Sequence, residues 1–262
     1  MTPEREGIPV AAAVIASLGA ALFVLPLVGL LWKAPWADLG QALFQPEALA
    51  AMRLSLVCSL AATLMCVVLG LPLAWVQARG SFPGRRFLRA LTLLPVVLPP
   101  VVGGVALLSV FGRRGLIGQF LDPLGIRLPF TTAGAVLAET FVAMPFFVLS
   151  TEGVLSSLDR RLEDAARTLG ATRWTVFRRI TVPLVQPSVA AGAALAWARA
   201  LGEFGATITF AGNFPGRTQT IPLAVYIELE SRPEAGIALS LVLLAVSLTI
   251  LFIMRGRWLE QP

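Results

Sequence analysis

An all-α integral membrane fold with six transmembrane helices is what the sequence predicts, on three observations. Hydrophobic residues make up 56% of the 262 and charged residues only 14%, against a charged share of roughly one quarter in soluble domains. The apolar residues come in blocks long enough to cross a bilayer, because about twenty residues at about 1.5 Å each span the roughly 30 Å hydrocarbon core. The basic residues concentrate in alternate connecting segments.

The blocks fall at 8–32, 51–78, 88–111, 132–157, 185–211 and 237–254. The first is longer than the apolar region of a signal peptide, about 7–15 residues, and lacks a small-x-small cleavage site before Trp32, so it reads as a retained span. With the N-terminus in the cytoplasm, the inside segments hold 13 basic residues, among them Arg79, Arg85, Arg86, Arg89, Arg160 and Arg161, and the outside segments hold 7. This bias places both termini in the cytoplasm, although the external loop with Arg113, Arg114 and Arg127 runs against it. The net charge of +6 alone would suggest a nucleic-acid partner; placed along a membrane surface, the cations need none. Cys58 and Cys66 both lie in the second block and read as small packing residues.

Histidine is absent, which removes His-based acid–base catalysis and the common zinc-site patterns. The single lysine, Lys33, sits in Trp-Lys-Ala, so no GxxxxGK[ST] phosphate loop exists on this chain. No paired aspartates and no Ser–Lys dyad occur within the blocks. No catalytic residue, metal ligand or cofactor site is expected here, and any ATP used must be bound by another chain.

The most polar stretch, 158–183, lies between the fourth and fifth blocks. Leu158, Leu162, Ala165, Ala166 and Leu169 share one helical face, with Asp159, Arg160, Glu163, Asp164 and Arg167 on the rest. Ser156 and Asp159 form an S-x-x-D start, and Gly170 is placed to end the helix. Thr172 then caps a second short helix carrying Trp174, Phe177 and Ile180 toward Pro183. The two alanines beside the turn would let another surface approach closely. Periodicity alone fits equally an amphipathic helix lying on lipid headgroups.

The spacing in this stretch resembles the EAA loop of ABC importer permeases: Glu-Ala-Ala, three residues, Gly, nine residues, Ile-x-Leu-Pro. Here Asp164-Ala165-Ala166 is followed by three residues, Gly170, nine residues and Ile180-Thr181-Val182-Pro183. Asp164 stands for the glutamate, with Glu163 beside it, and Val182 for the leucine. The resemblance covers about residues 50–257, with the first span as an addition. It implies that Glu163, Asp164, Ala165, Ala166, Leu169, Gly170, Ile180 and Pro183 couple the chain to a cytoplasmic ATPase. It also implies a second copy of the chain, two ATPase subunits using ATP and magnesium, an extracytoplasmic binding protein, and a bacterial or archaeal inner membrane.

Two blocks carry features of a translocation path. The third contains Pro95, Pro99 and Pro100 followed by Gly103 and Gly104; proline frees backbone carbonyls, tolerated in a bilayer where protein or cavity water satisfies them. Helix packing explains the same residues equally well. The fifth holds Arg199, Gly202, Glu203, Gly205 and Thr207 deep in an apolar run. Arg199 and Glu203 sit four apart, and intramembrane charges normally face a bundle interior or a cavity; a self-neutralising pair that locks the helix is the other reading. Glu139 is a third intramembrane charge. One arginine already matched by a glutamate is poor provision for tight anion binding, so affinity is expected to reside elsewhere. The stretch 198–226 resembles the molybdate branch of these permeases, with tungstate as a further cargo and sulfate or thiosulfate permeases as close relatives. A stand-alone secondary transporter or channel is the reading from another class, against which no clear internal repeat is visible.

Overall fold

The computed structural model describes residues 9–258, and every regular element among them is helical. In order these are α1 (Val10–Trp32), α2 (Leu39–Leu43), α3 (Pro46–Arg79), α4 (Arg85–Val97), α5 (Pro100–Phe111), α6 (Gly118–Leu121), α7 (Thr132–Ser157), α8 (Arg160–Thr168), α9 (Arg173–Val176), α10 (Val182–Leu201), α11 (Gly205–Phe210), α12 (Ile221–Ser231) and α13 (Pro233–Trp258). Five helical stretches are long and apolar enough to cross a membrane: Val10–Trp32, Pro46–Arg79, Thr132–Ser157, Arg173–Leu201 and Pro233–Ile253.

The helix expected over 88–111 is two helices, α4 and α5. Leu98 and Pro99 between them adopt extended backbone, at φ −69°, ψ 131° and φ −54°, ψ 131°. Consecutive prolines explain this. Each lacks an N–H for the helical ladder and pushes the residue before it out of the α region. Pro95, by contrast, is carried within α4. The helix expected over 185–211 also differs: α10 ends at Leu201, Gly202–Phe204 interrupt it, and the short α11 follows.

The core is the packing of α3, α7 and α10. It is built largely from small residues, including Ala62, Cys66, Ala74, Ala143 and Ala196, around Phe147 and Leu155. In a bilayer, helices gain little from burying apolar surface against each other and rely on close backbone approach. Gly70 makes such an approach, because a Cβ there would stand 2.7 Å from the Phe147 ring. Cys58 and Cys66 are both fully buried and unbonded to each other, the packing role their sequence context suggests. A second cluster joins α3, α12 and α13 through Ala48, Ala51, Ile221, Ala224 and Leu239. No residue of α1 is buried, and it meets the rest of the chain at α13.

On the side opposite 158–183, the loop after α5 closes on itself: Asp122 accepts from Arg113 at 2.9 Å and from Arg127 at 2.7 Å. Those two guanidiniums hold the Asp122 carboxyl below the usual carboxylate range.

Candidate coupling surface and intramembrane charge cluster

The helix over 160–168 is started by Asp159, whose Oδ1 accepts from the Arg161 amide at 2.9 Å. Ser156, the other half of the expected start signal, lies inside α7 instead. Leu158 has extended backbone (ψ 137°), which separates the two helices and leaves the cap to the aspartate alone. At the far end Gly170 takes φ +86°, and the amides of Gly170 and Ala171 donate to the carbonyls of Arg167 and Ala166, each at 3.0 Å. This is the left-handed helix stop that favours glycine. Thr172 caps the next segment by accepting from the Thr175 amide at 3.2 Å. That segment is not a separate short helix. It runs through a π-helical turn at Phe177–Thr181 directly into α10.

The orientation of α8 inverts the usual amphipathic arrangement. Its buried residue is Glu163, 5% exposed, whereas Leu162 is 50% and Leu169 89% exposed. Asp164 and Ala165 are exposed and Ala166 is half-buried. Glu163 is held by two elements at once: its Oε1 lies 3.3 Å from Arg79 Nε at the end of α3 and accepts from Thr181 Oγ1 at 3.2 Å. Arg79 also donates to the Leu158 carbonyl at 3.2 Å. Phe177 is wedged between Trp75 of α3, at 5.0 Å between ring centroids, and Trp174, at 5.5 Å. The loop is therefore fixed at its base and presents an apolar crest of Leu162, Ala165, Ala166 and Leu169 to the outside. Ile180 is half-buried and Pro183 exposed at the start of α10.

Arg79, Trp75 and Thr181 were not singled out from the sequence. Arg79 ends a span and reads there as an ordinary positive-inside residue; nothing local ties it to Glu163.

Within the bundle, Arg199 Nη2 lies 2.6 Å from Glu203 Oε2. Glu203 does not share α10 with its partner. It sits in the interruption after Leu201, where its Oε1 accepts from the Ala206 amide at 2.8 Å and so caps α11. One buried carboxylate thus neutralises a guanidinium and meets the positive end of a helix. Gly202 closes α10 with φ −89°, ψ 7°.

The two broken segments touch each other. A Cβ on Gly205 would stand 2.9 Å from Pro100 Cβ, and one on Gly104 would stand 2.6 Å from Thr209 Cβ. Pro99 is exposed at the α4–α5 break, while Pro95 lines a cavity of about 280 Å³ with Met65, Leu107 and Met144. Thr207 and Glu139 are buried, and Thr207 Oγ1 and Glu139 Oε2 have no hydrogen-bond partner among the described residues.

Residues 67–261 match the family of binding-protein-dependent transport system inner membrane components. The chain belongs to this family. It is a membrane component of a transport system rather than a catalytic subunit, as its homologues are. The permease is 46% identical over 229 residues to the molybdenum transport system permease protein ModB of Mycobacterium tuberculosis, covering 87% of each chain. It is 38% identical to the sulfate transport system permease protein CysT of Salmonella typhimurium, over 88% of this chain and 85% of that one. Its fold is shared with a bacterial alginate ABC transporter solved in complex with an alginate pentasaccharide-bound periplasmic protein, at TM-score 0.75 and 17% identity over 96% of this chain and 95% of that one.

Proposed function

We propose that this permease is the membrane subunit of an ATP-driven importer for molybdate, with tungstate as a further cargo. Two copies would form the gated passage, two cytoplasmic ATPase subunits would bind ATP and magnesium, and an extracytoplasmic binding protein would deliver the anion. Six crossings are assigned, with α4 and α5 together making the third, and both termini in the cytoplasm. The choice of cargo is carried by the 46% identity to a molybdenum permease, against 38% to a sulfate permease. Excess sulfate should therefore leave uptake of labelled molybdate by cells carrying this system largely intact; strong competition would move the assignment to sulfate or thiosulfate.

The coupling role rests on α8. An apolar crest in water stabilises nothing by itself, whereas against a partner's cleft it supplies the buried core of an interface. The crest is also mechanically connected. Glu163 ties α8 to α3 through Arg79 and to the root of α10 through Thr181. From Arg173 the helical stretch runs 29 residues to Leu201, a rod of about 40 Å, and ends where Arg199 meets Glu203. Closure of the ATPase pair would push the crest, and α10 would carry the displacement to the interruption at Gly202–Phe204. Ala166→Glu and Leu169→Glu add a charge at the crest without entering the core. Each should weaken ATPase association by about tenfold or more and reduce uptake, with the thermal stability of the purified permease unchanged. Normal association in both variants would end the coupling assignment.

A further inference from the structure

A second charged site lies beside the coupling loop and takes no part in it. Gly80, Ser81 and Phe82, with Arg85, Arg86 and Arg89 of α4, line a cavity of about 590 Å³ where α3 turns into α4. The connection is sharp because Gly84 adopts φ +89°, which lets α4 start immediately after it.

The three arginines are arranged differently. The Arg85 guanidinium is fixed by donating to the carbonyls of Gly80 at 3.3 Å and Ala78 at 3.5 Å. Arg89 lies 3.3 Å from Glu152 and keeps about half of its side chain exposed. Arg86 is exposed and has no acidic partner among the described residues. Positive charge is thus in excess, and the first turn of α4 adds to it, since it contains no acidic residue and no side-chain cap. The opposite stripe of α4 is apolar and exposed, with Phe87 at 68%, Leu91 at 47% and Leu94 at 49%, and Phe82 at the cavity rim is 39% exposed. Guanidiniums above a lipid-facing apolar stripe are the arrangement that receives an anionic headgroup at a membrane surface.

We propose that this cavity binds an oxyanion of the phosphate class, presented as the headgroup of an anionic phospholipid. Arg85 and Arg89 are oriented by their own contacts to contact the oxygens, Arg86 supplies the unpaired charge, and Phe82 at the rim lies along the acyl chains. Only the side of the membrane rests on the orientation proposed above; binding itself does not depend on it.

The test is native mass spectrometry of the delipidated permease in detergent, titrated with phosphatidylglycerol or phosphatidylcholine, and separately with inorganic phosphate as competitor. Phosphatidylglycerol should be retained over phosphatidylcholine. Arg86→Ala should lower that retention about fivefold, the effect of one arginine near an anionic surface, and Arg86→Glu should lower it further. Arg114→Ala, an exposed arginine elsewhere on the chain, should change nothing. Neither Arg86 variant breaks a side-chain hydrogen bond or ion pair among the described residues, so loss of binding reads on the site. Phosphate binding that Arg86→Ala abolishes, without lipid selectivity, keeps the oxyanion site and assigns it to a soluble ion. Equal retention of both lipids with no phosphate binding, or full retention in Arg86→Glu, overturns the proposal. Because uptake is not the readout, a failure here is separate from a failure of the transport assignment.

Discussion

Glu163→Ala should destabilise the purified permease by about 3–5 kcal/mol, the cost of removing one member of a buried ion pair, and should abolish uptake. The magnitude follows from burial: the Arg79 and Glu163 side chains are 8% and 7% exposed, so water screens the orphaned guanidinium poorly. Thr181 Oγ1 loses the nearer of its two acceptors in the same step and keeps the Val176 carbonyl at 3.5 Å. Arg79→Ala should cost less, because the carboxylate keeps the Thr181 hydroxyl at 3.2 Å and Arg167 at 3.9 Å. The double variant Arg79→Met, Glu163→Leu should regain most of the lost stability, since exchanging a buried pair for apolar residues of similar volume is often neutral. It should still transport poorly, because the directional tie between α8 and α3 is gone. Thermal unfolding in detergent and labelled uptake separate these effects. Single variants as stable as the parent would show that Glu163 does not hold the loop.

Much of this brace was hidden in the sequence for a physical reason. Capping and turn chemistry is local: Gly170 and Thr172 could be placed from their neighbours, and both act as their residue types require. The apolar face of α8 was legible too, but periodicity gives a face and not its direction. The stripe of Leu162, Ala165, Ala166 and Leu169 turns outward, and the residue facing inward is a glutamate whose partner ends another helix. Long-range ion pairs leave no period to read.

The helix interruptions divide in the same way. Pro99 and Pro100 announce a bend, and the structure makes it a full break because two successive residues are driven to extended backbone. The break at Gly202–Phe204 has no proline. At this break Glu203 accepts from the Ala206 amide and pairs with Arg199. From the sequence alone, Arg199 and Glu203 look like an ordinary pair on one helix. The helix α12 was not anticipated, since it is too short to span and its mixed composition gives no clear stripe.

Glu203→Gln should be the most damaging single change inside the bundle, because it removes the counter-charge of Arg199 while leaving a side chain of nearly the same size. An uncompensated arginine at membrane depth costs about 2.5–3.5 kcal/mol, and the Arg199 side chain is only 27% exposed. Glu139→Gln provides the contrast. Glu139 is 1% exposed, and no ion pair engages it among the described residues, so the substitution strands no cation and should leave stability and uptake close to the parent. The exchange Arg199→Glu, Glu203→Arg then distinguishes pairing from capping. It restores the pair with the acid on α10 and the guanidinium in the interruption. It also points a guanidinium at the Ala206 amide and the positive end of α11, where a cation is disfavoured. If Glu203 acts through both contacts, the exchanged protein stays destabilised; full rescue would reduce its role to charge balance, and equal damage from Glu139→Gln would mean the bundle tolerates neither carboxyl being altered.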